Sequence, residues 1–360
     1  MSVEVWASLV SDGSSQEPRG IARRAQRLEA DGWDGGVLAD SQTLAADAYT
    51  VLTWCAAATK TLKLGTGTSN PATRHPSVLA SAAASIQVAS EGRMTLSIGR
   101  GDSSLAYIGA PPVPLGYFER ALATVQAYLL GEEVPREDAA SFLGGLATSF
   151  DNLAIGSAPE TSRLKWLPAD FIKPELEVVA TGPKVIAIAA RHADRIALAV
   201  GGDVERLAWG MASAREEMEK AGRDPASVKF AAIVPFYPHT DVDFARQLAQ
   251  GMVASMSRFS IMNKKVVGPV SENERANLER VANSYDMKNH GANVSKQTQA
   301  LDPEFIDKFG LVGDPQRCVE RLLEISELGI DKLILWTADS NGRPRESYKF
   351  AVEDVLPKIR

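Results

Sequence analysis

Two polar runs in this chain follow apolar segments and carry side chains that could bind a ligand or move a proton. The first is residues 70–76, Asn-Pro-Ala-Thr-Arg-His-Pro, and the second is residues 99–103, Gly-Arg-Gly-Asp-Ser. Each run lies where a strand pattern ends and a helix pattern begins, which is where α/β enzymes place their chemistry. One helix pattern and one strand pattern separate the two runs. We therefore expect both to lie at one end of a parallel sheet and to line one pocket.

Two aspartates are the candidate catalytic residues. Asp40 directly follows an apolar strand pattern, where its carboxylate could be an acid, a base or a cofactor contact, or could simply cap backbone groups of the loop. Asp102 lies in the turn after the fourth strand pattern. A desolvated carboxyl there could hold a proton and donate it, or the side chain could be the N-cap of a short helix.

Two neighbouring side chains that can carry positive charge follow the third strand pattern. Arg74 and His75 precede Pro76, which fits the first turn of a helix, and both side chains could hydrogen bond a ligand. Alternatively, Arg74 pairs with a nearby carboxylate and His75 bonds loop backbone, so that the pair only holds the corner. Gly65 and Gly67 in the preceding strand either let a planar ring approach the backbone or accommodate barrel twist.

A candidate phosphate seat follows the fifth strand pattern, at Thr181-Gly182-Pro183-Lys184. The free N–H groups of a helix first turn, the helix dipole and the lysine all favour an anion, although proline removes one donor. Many barrel helices begin with similar residues, so the alternative is an ordinary helix start.

Other classes of site are not expected. Position 104 is serine, so the run at 99–104 lacks the third glycine of the dinucleotide fingerprint. His192, His239 and His290 show no paired metal-ligand spacing, and no serine stands in a GxSxG elbow. The sequence therefore predicts no metal.

Composition narrows the class of protein further. The formal net charge is −6 over 360 residues, and no basic stripe is present, so nucleic-acid binding is not expected. No apolar stretch approaches the roughly 20 residues that span a bilayer, which predicts a cytoplasmic protein without a membrane segment. Cys55 and Cys318 lie far apart inside helical patterns, which argues against a disulfide framework.

Hydrophobic periodicity predicts eight strand-then-helix units, and hence a (β/α)8 TIM barrel with insertions, an α/β fold. We interpret residues 1–360 as one domain, with insertions at about 132–173 and 262–309 that could cover the pocket or mediate subunit contacts. The strand patterns are residues 3–10, 35–39, 62–67, 94–99, 176–180, 196–200, 228–235 and 332–336, and the helix patterns are 19–31, 45–58, 77–89, 117–130, 183–193, 203–221, 241–258 and 348–359.

With these motifs placed, the chain resembles the bacterial luciferase-like superfamily, and most closely its F420-dependent branch, typified by methylenetetrahydromethanopterin reductase. The matching segments are residues 64–76, 91–93, 99–103, 181–184 and 309–315.

The resemblance implies an oxidoreductase that transfers hydride between the deazaflavin coenzyme F420 and a small organic substrate. It implies a flat ring across the barrel mouth, supported by a non-proline cis peptide bond at Gly67-Thr68, with Asp40 and Asp102 near the reacting ring. The cofactor-binding positions that it indicates are Gly67, Thr68, Asn70, Arg100, Thr181, Gly182, Pro183 and Lys184.

Two alternatives stay open within the same resemblance. The first is an FMN-dependent monooxygenase supplied by a partner flavin reductase, and the second is a non-catalytic barrel that binds flavin or serves as a subunit. Relatives also imply a homodimer. In sugar-phosphate dehydrogenases of the superfamily a histidine and a tryptophan follow the second strand, whereas this chain has Asp40-Ser41-Gln42-Thr43, so that activity is not predicted.

Overall fold

Eight parallel strands close into a barrel in the computed structural model, which describes residues 3–10, 17–144, 157–337 and 345–359. Each strand pairs with the next one along the chain, and the eighth pairs with the first, which closes the ring. The predicted (β/α)8 barrel is therefore confirmed. The barrel strands are β1 (Glu4–Ser8), β2 (Gly35–Leu38), β3 (Lys63–Thr66), β4 (Met94–Ile98), β7 (Glu175–Ala180), β8 (Arg195–Leu198), β9 (Lys229–Pro238) and β11 (Lys332–Trp336).

Three short strands lie outside the ring. The two-residue strands β5 (Val134–Pro135) and β6 (Thr161–Ser162) pair antiparallel with each other. The third, β10 (Leu311–Gly313), continues the sheet beside the end of β9. The barrel therefore has one local extension, next to its seventh strand.

Helices surround the barrel and pack their apolar faces on it. In chain order they are α1 (Pro18–Ala30), α2 (Ala48–Ala58), α3 (Pro76–Ala89), α4 (Ser103–Ala106), α5 (Leu115–Leu129), α6 (Arg136–Ala140), α7 (Pro183–His192), α8 (Val204–Lys220), α9 (Val242–Ser257), α10 (Glu272–Ser284), α11 (Lys296–Gln299), α12 (Pro303–Phe309), α13 (Pro315–Glu327) and α14 (Arg345–Phe350).

One barrel helix is missing from the eight predicted units. Helix α13 leads into β11, and its signals are present in the sequence: Asp314 caps its first turn, Pro315 stands at its first position, and its buried residues recur with helical spacing. The last predicted helix is also not one α-helix. The chain changes from α14 to a π-helical turn at Ala351–Val355 and a 3-10 turn at Leu356–Lys358, where Pro357 cannot donate a helical hydrogen bond.

The two predicted insertions differ in how much regular secondary structure they contain. The segment at about 132–173 holds α6 and the β5–β6 pair, and its residues 145–156 lie outside the described part of the chain. The segment at 262–309 holds α10, α11 and α12, and follows a 3-10 stretch at Arg258–Lys264. The interpretation of residues 1–360 as one domain stays a prediction.

The barrel interior is filled by a large side chain and a buried ion pair. Trp6 is 1% exposed, and a Cβ at Gly35 would lie 2.3 Å from its ring, so only glycine fits there. The ammonium of Lys332 lies 3.7 Å from the Trp6 ring centre. It donates to Glu177 Oε2 at 2.8 Å, in a pair that solvent does not reach. The half of the barrel interior that is nearer the amino-terminal ends of the strands is therefore a packed core rather than a channel.

Candidate functional site

The corner after β3 lies at the barrel mouth, which we define as the carboxyl ends of the eight strands. The peptide bond between Gly67 and Thr68 is cis, which confirms the feature that the resemblance implied. The backbone N–H of Asp40 donates to the Thr68 carbonyl at 3.4 Å. The corner is therefore joined directly to the loop that follows β2.

Asp40 is buried in a polar network at this corner. It is 3% exposed, and its Oδ2 accepts a hydrogen bond from the Ser69 hydroxyl at 2.6 Å. The Tyr49 hydroxyl donates to Ser69 at 3.0 Å, and burial raises the pKa of Tyr49. Arg74 Nε lies 3.7 Å from the same Asp40 oxygen. Asp40 thus bonds side chains rather than the loop backbone that the capping alternative invoked.

Arg74 and His75 hold the corner in place. Arg74 also pairs with Asp47, and its guanidinium lies 4.7 Å from the Tyr49 ring centre. The Ser77 N–H donates to His75 Nδ1 at 3.1 Å, and His75 Nε2 lies 2.8 Å from the Ala139 carbonyl oxygen, so that Nε2 carries the proton. The geometry matches the alternative in which Arg74 pairs with a carboxylate and His75 bonds backbone.

Asn70 connects this corner to the turn after β4. Its Oδ1 accepts from the N–H groups of Ala72 and Thr73, and its Nδ2 donates to the Ser104 hydroxyl at 3.2 Å. Gly101 in that turn has φ +75, and a Cβ there would lie 2.9 Å from the Asn70 Cβ. The two polar runs predicted to share one pocket are therefore in direct contact.

Arg100 and Asp102 have different partners in the turn. Arg100 Nε donates to the Val113 carbonyl at 2.8 Å, and burial lowers the pKa of Arg100 although Asp102 opposes the shift. Asp102 is the N-cap residue of α4, as the capping alternative expected, but its side chain makes no capping hydrogen bond. Asp102 pairs instead with Arg258, at the end of α9.

Arg258 leads to a group of polar side chains from the second insertion. Its guanidinium lies 4.7 Å from the Tyr285 ring centre, and the Tyr285 hydroxyl lies 2.6 Å from His290 Nδ1. Ser255 Oγ is 3.4 Å from His290 Nε2. We call Asp102, Arg258, Tyr285 and His290 the insertion cluster.

The pKa values of His290 and Tyr285, the two uncharged members of the insertion cluster, are both shifted in the direction that favours the neutral form. Burial, and then the Arg258 charge, lower the pKa of His290 from 6.5 to about 4, although Asp102 opposes the shift. Burial raises the pKa of Tyr285. At neutral pH the cluster therefore holds an ion pair beside a neutral imidazole and a neutral phenol.

Folding should couple to the protonation of His290. Because its pKa is lower in the folded chain, the unfolded chain binds the proton more readily between pH 6.5 and about 4, and stability should fall as pH drops through that window. We expect His290→Gln to reduce the loss of stability between about pH 7 and about pH 5, as measured by urea denaturation. Equal losses in the two proteins would contradict this coupling.

The turn after β7 is open, as a phosphate seat requires. Gly182 is the N-cap residue of α7, and the one atom that a Cβ there would meet within 4 Å is Val267 Cγ2, at 4.0 Å. The Thr181 hydroxyl donates to the Ala199 carbonyl at 3.3 Å, while Pro183 and Lys184 are exposed. The helix dipole and the lysine both favour an anion at this end of α7.

The described residues lack two other kinds of site. They contain no group of three or more His, Cys, Asp or Glu side chains placed to hold a metal ion. None of their helices has both the length and the apolar character needed to cross a bilayer. Cys55 and Cys318 are both buried, unpaired and within helices, as expected.

The insertion cluster contains residues that the sequence analysis missed. Neither Arg258 nor Tyr285 stands out in the sequence, and His290 lies in a polar insertion without metal-ligand spacing. The available signal was the pairing of a tyrosine with a histidine five residues later, in a segment expected to lie near the pocket. Periodicity carries no information about which barrel corner such a segment contacts.

Comparisons with known proteins find matches over most of the chain. The family model described as Luciferase-like monooxygenase matches residues 1–332. The 5,10-methylenetetrahydromethanopterin reductase of Methanolobus tindarius is 25% identical over 327 residues, which cover 87% of this chain and 89% of that protein.

Two solved structures share the fold over the whole length of both chains. One is the coenzyme F420-dependent tetrahydromethanopterin reductase of Methanopyrus kandleri, with a TM-score of 0.73 and 19% identity. The other is an F420-dependent secondary alcohol dehydrogenase in complex with an F420-acetone adduct, with a TM-score of 0.72 and 17% identity. At these identities the likeness shows the fold alone.

Proposed function

Since the chain belongs to the luciferase-like monooxygenase family, we propose that this oxidoreductase uses the deazaflavin coenzyme F420 and transfers hydride to or from a small organic substrate. One observation carries the proposal. The backbone edge at Gly67-Thr68 and the open turn at Gly182 lie at the same barrel mouth. The names of the two solved structures, both of which mention F420, support it as the cofactor.

The residues present fit a phosphorylated tricyclic cofactor. The backbone at Gly67 and Thr68 offers a peptide edge at the barrel mouth against which a flat ring can rest, while the side of Gly67 where a Cβ would lie is filled by Val37, at 2.9 Å. A phosphate on the cofactor tail would lie at the first turn of α7, where Gly182 leaves the backbone uncovered and Lys184 supplies a positive charge. The proposal thus assigns ring and tail to two separate corners.

The chain's own residues would supply position and proton handling. A bound deazaflavin supplies or accepts a hydride at its C5, and holding the reactants at contact distance contributes much of the rate. Asp40, paired with Ser69 and Arg74, keeps the loop after β2 joined to the Thr68 carbonyl. Asp102, in the neighbouring turn, would exchange the accompanying proton or order the water that does. A homodimer remains part of the proposal, by analogy with relatives.

Cofactor titration tests the proposal. We expect the wild-type protein to bind F420 more tightly than FMN and to consume reduced or oxidised F420 without oxygen. Lys184→Glu should weaken F420 binding roughly 10- to 100-fold, because a carboxylate would repel the phosphate. Fluorescence titration measures both affinities.

Lys60→Glu is the matched control, since Lys60 is also exposed but precedes β3 at the opposite end of the barrel. It should leave F420 affinity unchanged. Preference for FMN with oxygen consumption would instead support the monooxygenase supplied by a reductase, and cofactor binding without turnover of imines, enones, nitroarenes or alcohols would support a non-catalytic barrel. Either result would overturn the proposal.

A further inference from the structure

We propose that Tyr285 and His290 form the proton-accepting side of this site, and that the substrate is a small alcohol whose hydroxyl group binds at Tyr285. This inference rests on the proposed function, because it names the substrate class for the same site. It also assigns a chemical role to the second insertion, whose residues the sequence analysis left without one.

The insertion cluster is continuous with the corner that would hold the cofactor ring. Ser104, in helix α4 directly after Asp102, receives a hydrogen bond from Asn70 at its hydroxyl and one from Gln42 Nε2 at its carbonyl, at 3.2 Å each. Asp102, in the turn before α4, pairs with Arg258, which stacks on Tyr285. One short turn therefore joins the corner after β3 to the insertion cluster.

The contacts of the cluster fit an oxygen-bearing ligand. The groups facing His290 are Asp102 from the turn after β4, Arg258 from the end of α9, and Tyr285 and Ser255, so one positive and one negative charge offset each other around a neutral imidazole. The Arg258 Nε–H is buried and has no hydrogen-bond partner in the described part of the chain. A buried donor without an acceptor is a costly arrangement that a ligand oxygen would relieve.

Neither candidate aspartate accepts the substrate proton in this scheme: Asp102 is held by Arg258, which leaves it to order water, and Asp40 is buried. It is 3% exposed, and its Oδ2 already accepts from Ser69 and lies near Arg74. Tyr285 and His290 are both partly exposed, so a substrate can reach them. A phenol that donates to a neutral imidazole can pass its proton to the imidazole as it receives another.

The proposed step is the oxidation of an alcohol to a carbonyl compound. The carbinol C–H bond breaks, and its electron pair leaves as hydride to the bound oxidised deazaflavin. The O–H bond breaks as its proton moves to the Tyr285 oxygen, while the Tyr285 proton moves to His290 Nδ1. The substrate loses two electrons and two hydrogens, a C=O bond forms, and His290 then releases its proton to solvent.

A cofactor-free measurement tests the binding part of this inference. The chain has four histidines, so ¹³C-histidine labelling gives few resonances, and His290→Gln identifies the one of interest. We expect 2-propanol to shift the His290 resonance saturably, with the other three histidines unmoved, and Tyr285→Phe to abolish that shift. No saturable shift in the wild-type protein, or the same shift in Tyr285→Phe, would overturn the inference.

Turnover tests the chemical part. With oxidised F420 and 2-propanol, Tyr285→Phe and His290→Gln should each lower kcat about 100- to 1000-fold, which lies within the range of about 100- to 10,000-fold that general acid–base groups contribute. F420 affinity should change less than about threefold, because neither residue is assigned to the cofactor. Unchanged kcat in both variants would remove the pair from the reaction.

Tyr107→Phe is the matched control. The Tyr107 hydroxyl donates to the Met287 carbonyl at 2.6 Å, so this variant also loses one bond between the turn after β4 and the insertion but keeps the Tyr285–His290 contact. Its kcat should stay within about threefold of wild type, and an equal loss there would assign the effect to loosening of the insertion. Absence of F420 binding by the wild-type protein would count against the proposed function alone, since the cofactor-free shift still decides this inference.

Discussion

Lys332→Met is expected to lower the free energy of unfolding by about 3–5 kcal/mol, because it leaves the carboxylate of Glu177 buried without its cation. Neither side chain of this pair is reached by solvent, and Glu177 Oε1 has no hydrogen-bond partner within the described residues. The next cation, Arg195, lies 3.9 Å from Glu177 and is shared with Glu175. Urea denaturation of the purified protein measures the loss.

Two further variants isolate the cause. Adding Glu177→Leu to Lys332→Met removes the orphaned charge and should restore most of the stability, since apolar replacements of buried pairs are often neutral. Lys63→Met removes the half-exposed partner of Glu4 and should cost less than about 1 kcal/mol. F420 affinity should be the same in all these proteins, because the pair lies away from the barrel mouth. A loss from Lys332→Met no larger than that from Lys63→Met would refute the argument.

Arg74→Met should be the second most damaging change, with a loss of about 3 kcal/mol in unfolding free energy, since Asp40 would stay buried with only the Ser69 hydroxyl to compensate it. Unlike the change at Lys332, this one should also weaken F420 binding about tenfold, because Asp40 is bonded to the Thr68 carbonyl and a small displacement there moves the cofactor edge. Urea denaturation and fluorescence titration give the two values.

The double variant Asp40→Asn/Arg74→Met separates charge from packing. If the buried charge is the cause, the neutral amide should recover about half or more of the stability lost in Arg74→Met. If the stability lost in Arg74→Met comes mainly from the Arg74 contact with the Tyr49 ring, the double variant will be no more stable than Arg74→Met alone. That second result would contradict our account of the corner.

Periodicity predicted the barrel because each repeating unit buries its own apolar strand and helix face. All eight strand patterns overlap a barrel strand, and the pattern at 332–336 matches β11 at both ends. Helix α13 was not assigned to any of the eight units, although Cys318 within it lies in a helical pattern, because the long insertion before it interrupted the expected spacing between units.

The site was predictable only in part. The corners after β3 and β4 could be identified as neighbours, since the order of strands in a barrel fixes which corners meet. The Asp102–Arg258 pair joins residues 156 positions apart, and the Tyr107–Met287 bond joins residues 180 apart. No local pattern encodes such contacts, because they depend on how the insertion folds back over the mouth.

Many enzymes combine cofactor binding and substrate chemistry in one loop, whereas the proposed assignments place these two functions in different parts of the fold. Groups assigned to the cofactor, such as Gly67 and Lys184, belong to the strand ends and helix starts of the barrel itself, whereas Tyr285 and His290 belong to a segment anchored through Arg258 and Tyr107. In the proposed enzyme, a change in that segment would therefore alter the contacts with the substrate and leave the cofactor-binding strand ends and helix starts in place.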